Sequence, residues 1–176
     1  MIFIETKLPG AFIIEIEKRE DERGFFARVL CEKEFETHGL SFHPVQANIA
    51  YSKKRGTLRG MHYQVSPYKE AKLIRCVKGM IYDVIIDLRP ESPTYKQWFR
   101  VELTSDNYKM FYVPEGFAHG YQILEDNSEV FYQVSQFYHP EAERGLRYND
   151  PAFGIKWPIE VKVISDKDKS WPNYLL

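Results

Sequence analysis

Apolar and polar positions alternate along most of the chain in short runs with a period of two. "KLIRCV" (72–77) sets Lys72, Ile74 and Cys76 on one face against Leu73 and Arg75, and "EVFYQV" (129–134) sets Val130, Tyr132 and Val134 against Phe131 and Gln133. Successive side chains of a strand point to opposite faces, so the pattern predicts half-buried strands. Turn signals divide the runs. "AKLIRCVKGMIYDVIIDL" (71–88) predicts a hairpin hinged at Lys78-Gly79, and "GYQILEDNSEVFYQVSQF" (120–137) a second hinged at Asp126-Asn127. "QWFRVEL" (97–103) and "YKMFYVP" (108–114) predict a third pair, and "AFIIEIEKREDERGFFARVL" (11–30) supplies further strands. Only "EKEFETHG" (32–39) predicts a helix, closed by Gly39, with another turn or two expected near the C-terminus.

At least eight short strands in a chain of 176 residues must close or stack to protect their edges, which predicts an all-β jelly roll or small barrel with short peripheral helices. No repeat, low-complexity tract or linker divides the sequence, so residues 1–176 are expected to form one domain. Aromatic residues reach 15%, a share suited to pockets lined by rings, while a net charge of -1 with interspersed signs argues against nucleic acid as a partner. "MIFIETKLPG" lacks the basic start and apolar core of a leader, and no stretch approaches the roughly 18 apolar residues of a membrane helix. A cytoplasmic protein without membrane attachment is expected. Cys31 and Cys76 stand far apart with no CxxC spacing, which predicts reduced, structural thiols.

A barrel has an interior, and three ionisable groups point toward it. Lys72 shares a face with apolar neighbours, either snorkelling at the rim or presenting an inward ammonium to an anion. Tyr132 lies between Val130 and Val134, as a core ring or as an acid. His62, in "LRGMHYQ" (58–64), has three readings: a packed histidine, a metal ligand, or a base. Strict alternation puts Arg59 on the opposite face from His62, but a bulge at Gly60 would let both reach one site. His119, after the turn signals of "VPEG", is expected near the barrel mouth. The metal reading wants a second histidine two residues after His62, where Gln64 stands, and no HxH occurs anywhere. Metal and other cofactors are therefore not expected.

Taken in order, "DERGFF" (21–26), "VQANIAYSKKRGTLRGMHYQ" (45–64), "KLIRCVKGMIYDVIIDLR" (72–89), "SPTYKQW" (92–98), "VPEGFAHGYQIL" (113–124), "EVFYQVSQFYHPEAE" (129–143), "YNDPAFGIKWP" (148–158) and "ISDKD" (164–168) resemble the dTDP-4-dehydrorhamnose 3,5-epimerase family. The resemblance runs nearly end to end. It implies a cupin-type jelly-roll β-barrel, a homodimer, and epimerisation without metal of a nucleotide-linked 4-keto-6-deoxyhexose, with dTDP as the expected nucleotide. On its residues, His62 is implied as the base, Asp168 as the carboxylate that orients it, Lys72 as the group facing the enolate oxygen, and Tyr132 as the acid. Arg23, Phe26, Gln46, Asn48, Arg59, His119, Phe137, Tyr138, Glu143 and Lys167 are implied to hold sugar and nucleotide.

Two positions depart from the family pattern: Arg28 stands where "RGFFxE" has a carboxylate, and Gln133 follows Tyr132 where lysine is common. The chemistry itself fits the implied set. Inverting a carbon beside a ketone needs a base near neutral pKa, and unperturbed histidine sits at about 6.5. It also needs a cation at the developing oxyanion and an acid on the other side of the ring. The alternatives are an epimerase acting at C3 or C5 alone, a 3,4-ketoisomerase on a related sugar nucleotide, and a cupin that binds a sugar nucleotide without catalysis.

Overall fold

A computed structural model describes residues 1–174. In chain order these form β1 (Ile2–Glu5), β2 (Phe12–Glu15), β3 (Arg19–Asp21), β4 (Gly24–Phe26), α1 (Glu32–Thr37), β5 (Gln46–Ser52), β6 (Leu58–Gln64) and β7 (Lys72–Lys78). They continue as β8 (Met80–Asp87), β9 (Trp98–Thr104), β10 (Met110–Val113), β11 (Phe117–Ile123), β12 (Ser128–Val134), β13 (Glu143–Gly145) and α2 (Asp166–Ser170). A six-stranded sheet has the order β1-β2-β10-β7-β12-β5, a five-stranded sheet the order β13-β6-β11-β8-β9, and β3 pairs with β4 in a separate hairpin. The two larger sheets pack face to face as a cupin-type jelly roll.

The three hairpins expected from the turn signals are not hairpins. β7 and β8, β11 and β12, and β9 and β10 each divide between the two sheets. Period-two alternation identifies a strand and its faces but carries no information about its partner. At Gly79, with φ at +76°, the chain turns from one sheet into the other, so the apolar faces of β7 and β8 meet across the interior instead of side by side. Ile74, Cys76, Ile81, Ile85, Leu103 and Phe111 form part of that inner core.

Both outer faces are partly covered. α1, ending before Gly39 as the pattern predicts, drops Phe35 against Phe42, Leu73, Met110 and Tyr112 on the six-stranded sheet. Full burial of that phenylalanine stabilises the cover by about 2–3 kcal/mol. On the five-stranded sheet, Leu146, Phe153 and Trp157 of the C-terminal segment seal Met61, Val84 and Ile86. Both sides of β6 are thus occupied, one by the barrel interior and one by this segment.

Strand β6 is bent where it meets β11. Gly60 has φ at +108°, and the ladder slips between His119 and Tyr121, so Arg59 and His62, three residues apart, both reach the interior. An added Cβ at Gly60 would fall 2.7 Å from the His119 carbonyl oxygen and 2.7 Å from the Gly120 Cα. Backbone strain and overpacking act together at that position. Gly60→Ala is expected to lower unfolding free energy by about 2–4 kcal/mol in urea titration; an unchanged midpoint would contradict the close approach.

Candidate active site

The inner core gives way to open space around Tyr132, which packs against the core on one side and lines a cavity on the other. His62, Gln64, Lys72, Tyr132, Gln46, Asn48, Tyr138 and Glu143 surround this cavity of about 330 Å³. A second lobe of about 450 Å³ continues between His62, Tyr132, Arg59, Lys167 and Asp168, and a small recess reaches His119 and Tyr121. His62 and Tyr132 belong to opposite sheets, so they face the space from its two sides.

His62 is held by one bond. Its Nε2 lies 2.6 Å from Asp168 Oδ1, while Asp168 Oδ2 accepts the Gly60 amide at 3.1 Å. With Nε2–H donated to the carboxylate, Nδ1 carries the free lone pair. Asp168 sits on α2, where Ser165 caps the helix by accepting the Asp168 amide at 3.0 Å. Burial alone would push the Asp168 carboxyl up, but the bond and charge of His62, the Gly60 amide and Ser165 outweigh it and hold the carboxyl below its ordinary range.

Lys72 is buried and inward, and its Nζ pairs with Glu70 at 2.9 Å. His119 is not at the mouth but enclosed: it faces His62 across the β6–β11 ladder, and its Nε2 lies 2.9 and 3.0 Å from the two oxygens of fully buried Asp83. Desolvation raises the Asp83 carboxyl, and the charges of His119 and Lys72 only partly oppose it. Asp83 and Glu70 were not anticipated. For Asp83 the signal existed, because it shares the inward face of "IYDVII" with Ile81 and Ile85, as Lys72 does with Ile74. Glu70 lies in the loop before β7, where no periodicity applies.

At the rim, Lys167 Nζ donates to Glu143 Oε2 at 2.6 Å and the Tyr138 hydroxyl donates to the same oxygen at 2.7 Å. These two donors overcome desolvation and hold the Glu143 carboxyl low, and the carboxylate in turn raises Lys167. Arg59 donates to Ser52 Oγ at 3.1 Å and to the Tyr51 carbonyl at 3.0 Å, which fixes its fork beside the second lobe. Gln64 is a fastener: its amide donates to the carbonyls of Tyr68 and Phe137 and accepts from the His139 amide at 2.6 Å. Among the described residues, no three His, Cys, Asp or Glu side chains are grouped as metal ligands would be.

Three expected residues lie elsewhere. Arg23 and Phe26 occupy the β3–β4 hairpin, where Arg23 pairs with Asp21 at 2.6 Å and Phe26 lines a different hollow with Arg19 and Arg28. Phe137 is exposed beside the rim without lining the cavity. Arg28 binds Glu34 at 2.8 Å.

The family model described as dTDP-4-dehydrorhamnose 3,5-epimerase matches residues 5–175. The chain is 44% identical over 172 residues to a dTDP-4-dehydrorhamnose 3,5-epimerase of Methanothermobacter thermautotrophicus, covering 96% of this chain and 92% of that protein. It superposes with a TM-score of 0.94 on a dTDP-4-dehydrorhamnose 3,5-epimerase from Bacillus anthracis with TDP and PPi bound, at 40% identity over 98% of this chain and 99% of that one. It superposes with a TM-score of 0.89 on a dTDP-6-deoxy-D-glucose-3,5-epimerase from Legionella pneumophila in complex with dTDP-4-keto-L-rhamnose, at 36% identity over 99% of each chain.

The depressed Asp168 carboxyl sets a pH dependence. A group whose carboxyl is lower in the folded chain than unfolded stabilises above the unfolded value, about 4, and that contribution disappears as pH falls through the folded value. The stability difference between the wild type and Asp168→Asn is therefore expected to be full near neutrality and to shrink below about pH 4. Urea unfolding at stepped pH measures it, and a gap independent of pH would refute the assignment.

Proposed function

The chain belongs to the dTDP-4-dehydrorhamnose 3,5-epimerase family, and from that premise we propose that it is an isomerase inverting C3 and C5 of a dTDP-linked 4-keto-6-deoxyhexose. The observation that carries the proposal is the placement of His62 and Tyr132 on opposite sheets around one cavity, with the Asp168 carboxylate bonded to the histidine and Lys72 lining the same cavity. The reading needs no metal.

His62 Nδ1 takes the proton from the carbon beside the C4 ketone. The C–H electron pair moves into the ring and the carbonyl oxygen becomes an enolate oxygen. Asp168 keeps the imidazole in the required tautomer and stabilises the imidazolium that forms. Lys72 supplies positive charge to the enolate, and its pairing with Glu70 fixes where the ammonium points. Tyr132 then gives its hydroxyl proton to the carbon from the other side of the ring, and bulk solvent restores both groups. Arg59 and Lys167 stand where a diphosphate would be met, with the planar fork of Arg59 suited to two of its oxygens. Gln46, Asn48, Tyr138 and Glu143 line the remaining wall.

A homodimer of single-domain subunits accounts for the residues that stand apart. Ile49 and Tyr51 are exposed on the outward face of β5, at the edge of its sheet, with Val45 exposed just before that strand and Val77 on nearby β7; Ile49 is 64% exposed. Such a patch is suited to a second copy of the chain. In that assembly the β3–β4 hairpin, with Phe26 68% exposed, is free to bring Arg23 and Phe26 to the partner's cavity. No helix among the described residues is long and apolar enough to cross a membrane, and the proposed substrate places the enzyme in the cytoplasm.

Incubation with dTDP-4-keto-6-deoxyglucose in deuterated water is the direct test. Label at C3 and C5 supports the double epimerase, label at one carbon a single-site enzyme, migration of the ketone a ketoisomerase, and no reaction with intact binding a non-catalytic cupin. His62→Ala is expected to lower exchange at both carbons by at least about a hundredfold while dTDP binding by calorimetry persists; exchange at the wild-type rate removes His62 as base. Tyr132→Phe is expected to exchange protons without completing inversion. For the assembly, Ile49→Asp is expected to halve the mass measured by light scattering, whereas a wild-type chain already monomeric rules the dimer out.

A further inference from the structure

α2 has five residues, too few for a helix to persist on its own conformational preference. Beside its own bonds to Gly60 and His62, the position of Asp168 therefore depends on how the ends of α2 are fastened. On the N-terminal side the fastening is backbone: Val163 bridges Thr57, and its carbonyl accepts the Leu58 amide at 2.8 Å. On the C-terminal side it is a side chain. Trp171, the residue that closes α2, lays its indole over Gly145, and a Cβ built on Gly145 would lie 2.2 Å from Trp171 Cε2.

Gly145 does not adopt the left-handed backbone that makes glycine necessary at Gly60, and the atoms nearest to a side chain built there all belong to the indole. Gly145 is also the residue of β13 paired with His62 in the β6 ladder. The tryptophan thus rests on the strand position beside the very histidine that Asp168 must reach. Among the described residues its buried Nε1 has no hydrogen-bond partner, and its contact with Gly145 is one of shape. Lys167 Nζ lies 5.9 Å from the centre of the same ring, which joins the rim cation to the same fastening.

We infer that the seating of Trp171 on Gly145 sets the distance between Asp168 and His62, which makes Trp171 and Gly145 positioning residues of the reaction. The catalytic consequence rests on the epimerase reading; the geometric one does not. Gly145→Ala pushes the indole outward and carries α2 with it. Trp171→Ala removes the fastening without any clash, and Trp171→Phe keeps a ring in the slot.

Two readouts on the full-length protein separate positioning from simple loss of stability. The first needs no substrate: the low-field proton signal of the His62–Asp168 bond in nuclear magnetic resonance, identified by its loss in Asp168→Asn. It is expected to vanish or move upfield in Gly145→Ala and Trp171→Ala and to return largely in Trp171→Phe, while the His119–Asp83 signal stays. The second is kinetic: a fall of about tenfold or more in kcat with KM nearly constant, and no further fall when Gly145→Ala is added to Asp168→Asn. If Gly145→Ala does not fold, Trp171→Ala carries both readouts. An unchanged His62 signal, or losses that add in full to Asp168→Asn, would overturn the inference. A wild type inert toward dTDP-4-keto-6-deoxyglucose whose His62 signal still responds to these variants sinks the epimerase reading and leaves the positioning intact.

Discussion

The bond between His62 and Asp168 joins residues 106 apart in the chain, and the organisation of the cavity depends on it. One partner comes from a strand in the middle of a sheet and the other from a short helix near the C-terminus, so neither is placed by its own local structure. The carboxylate also accepts the Gly60 amide, which belongs to the bend that turns Arg59 and His62 into one space. A single side chain thereby satisfies a buried backbone donor, orients a histidine and tethers the C-terminal segment to the barrel. Losing it would leave a buried amide without an acceptor as well as a histidine without a fixed tautomer.

The interior holds a second histidine–carboxylate pair, and the two are not equivalent. His119 and His62 oppose one another on adjacent strands, yet Asp83 is enclosed and its carboxyl raised, whereas the Asp168 carboxyl is lowered by the groups around it. The difference lies in the surroundings: Asp168 has the Gly60 amide and the Ser165 side chain beside its carboxylate in addition to the imidazole, while the hydrogen-bond donor lowering Asp83 is His119 alone, helped by the nearby charge of Lys72. Proximity of Asp83 to Lys72 links the enclosed pair to the ammonium assigned to the enolate oxygen.

Much of this arrangement was legible in the sequence because strand alternation fixes which side chains share a face. It placed Lys72 and Tyr132 inside and permitted His62 and Arg59 to meet only through an irregularity at Gly60, where the ladder does slip. Alternation says nothing about which strands pair, so three sheet-to-sheet crossings read as hairpins. It is silent on loops, where Glu70 lies, and the cavity lacks Arg23 and Phe26 because motif order along a chain does not say where a hairpin stands relative to a cavity. Asp83 differs from these: an acid on an apolar face carries the same signal as Lys72.

Two sheets facing one another solve a problem that a single surface cannot. Inversion at carbon needs proton removal from one side of a ring and proton return from the other, and the two groups must not exchange the proton directly. In the proposed reading His62 and Tyr132 meet that demand, because each is rooted in a different layer with the cavity between them. The remaining freedom is the tilt of the imidazole, and its hydrogen bond to the Asp168 carboxylate restricts that tilt. Precision in the barrel is therefore set less by its many strand pairs than by the few contacts that hold a five-residue helix against β6.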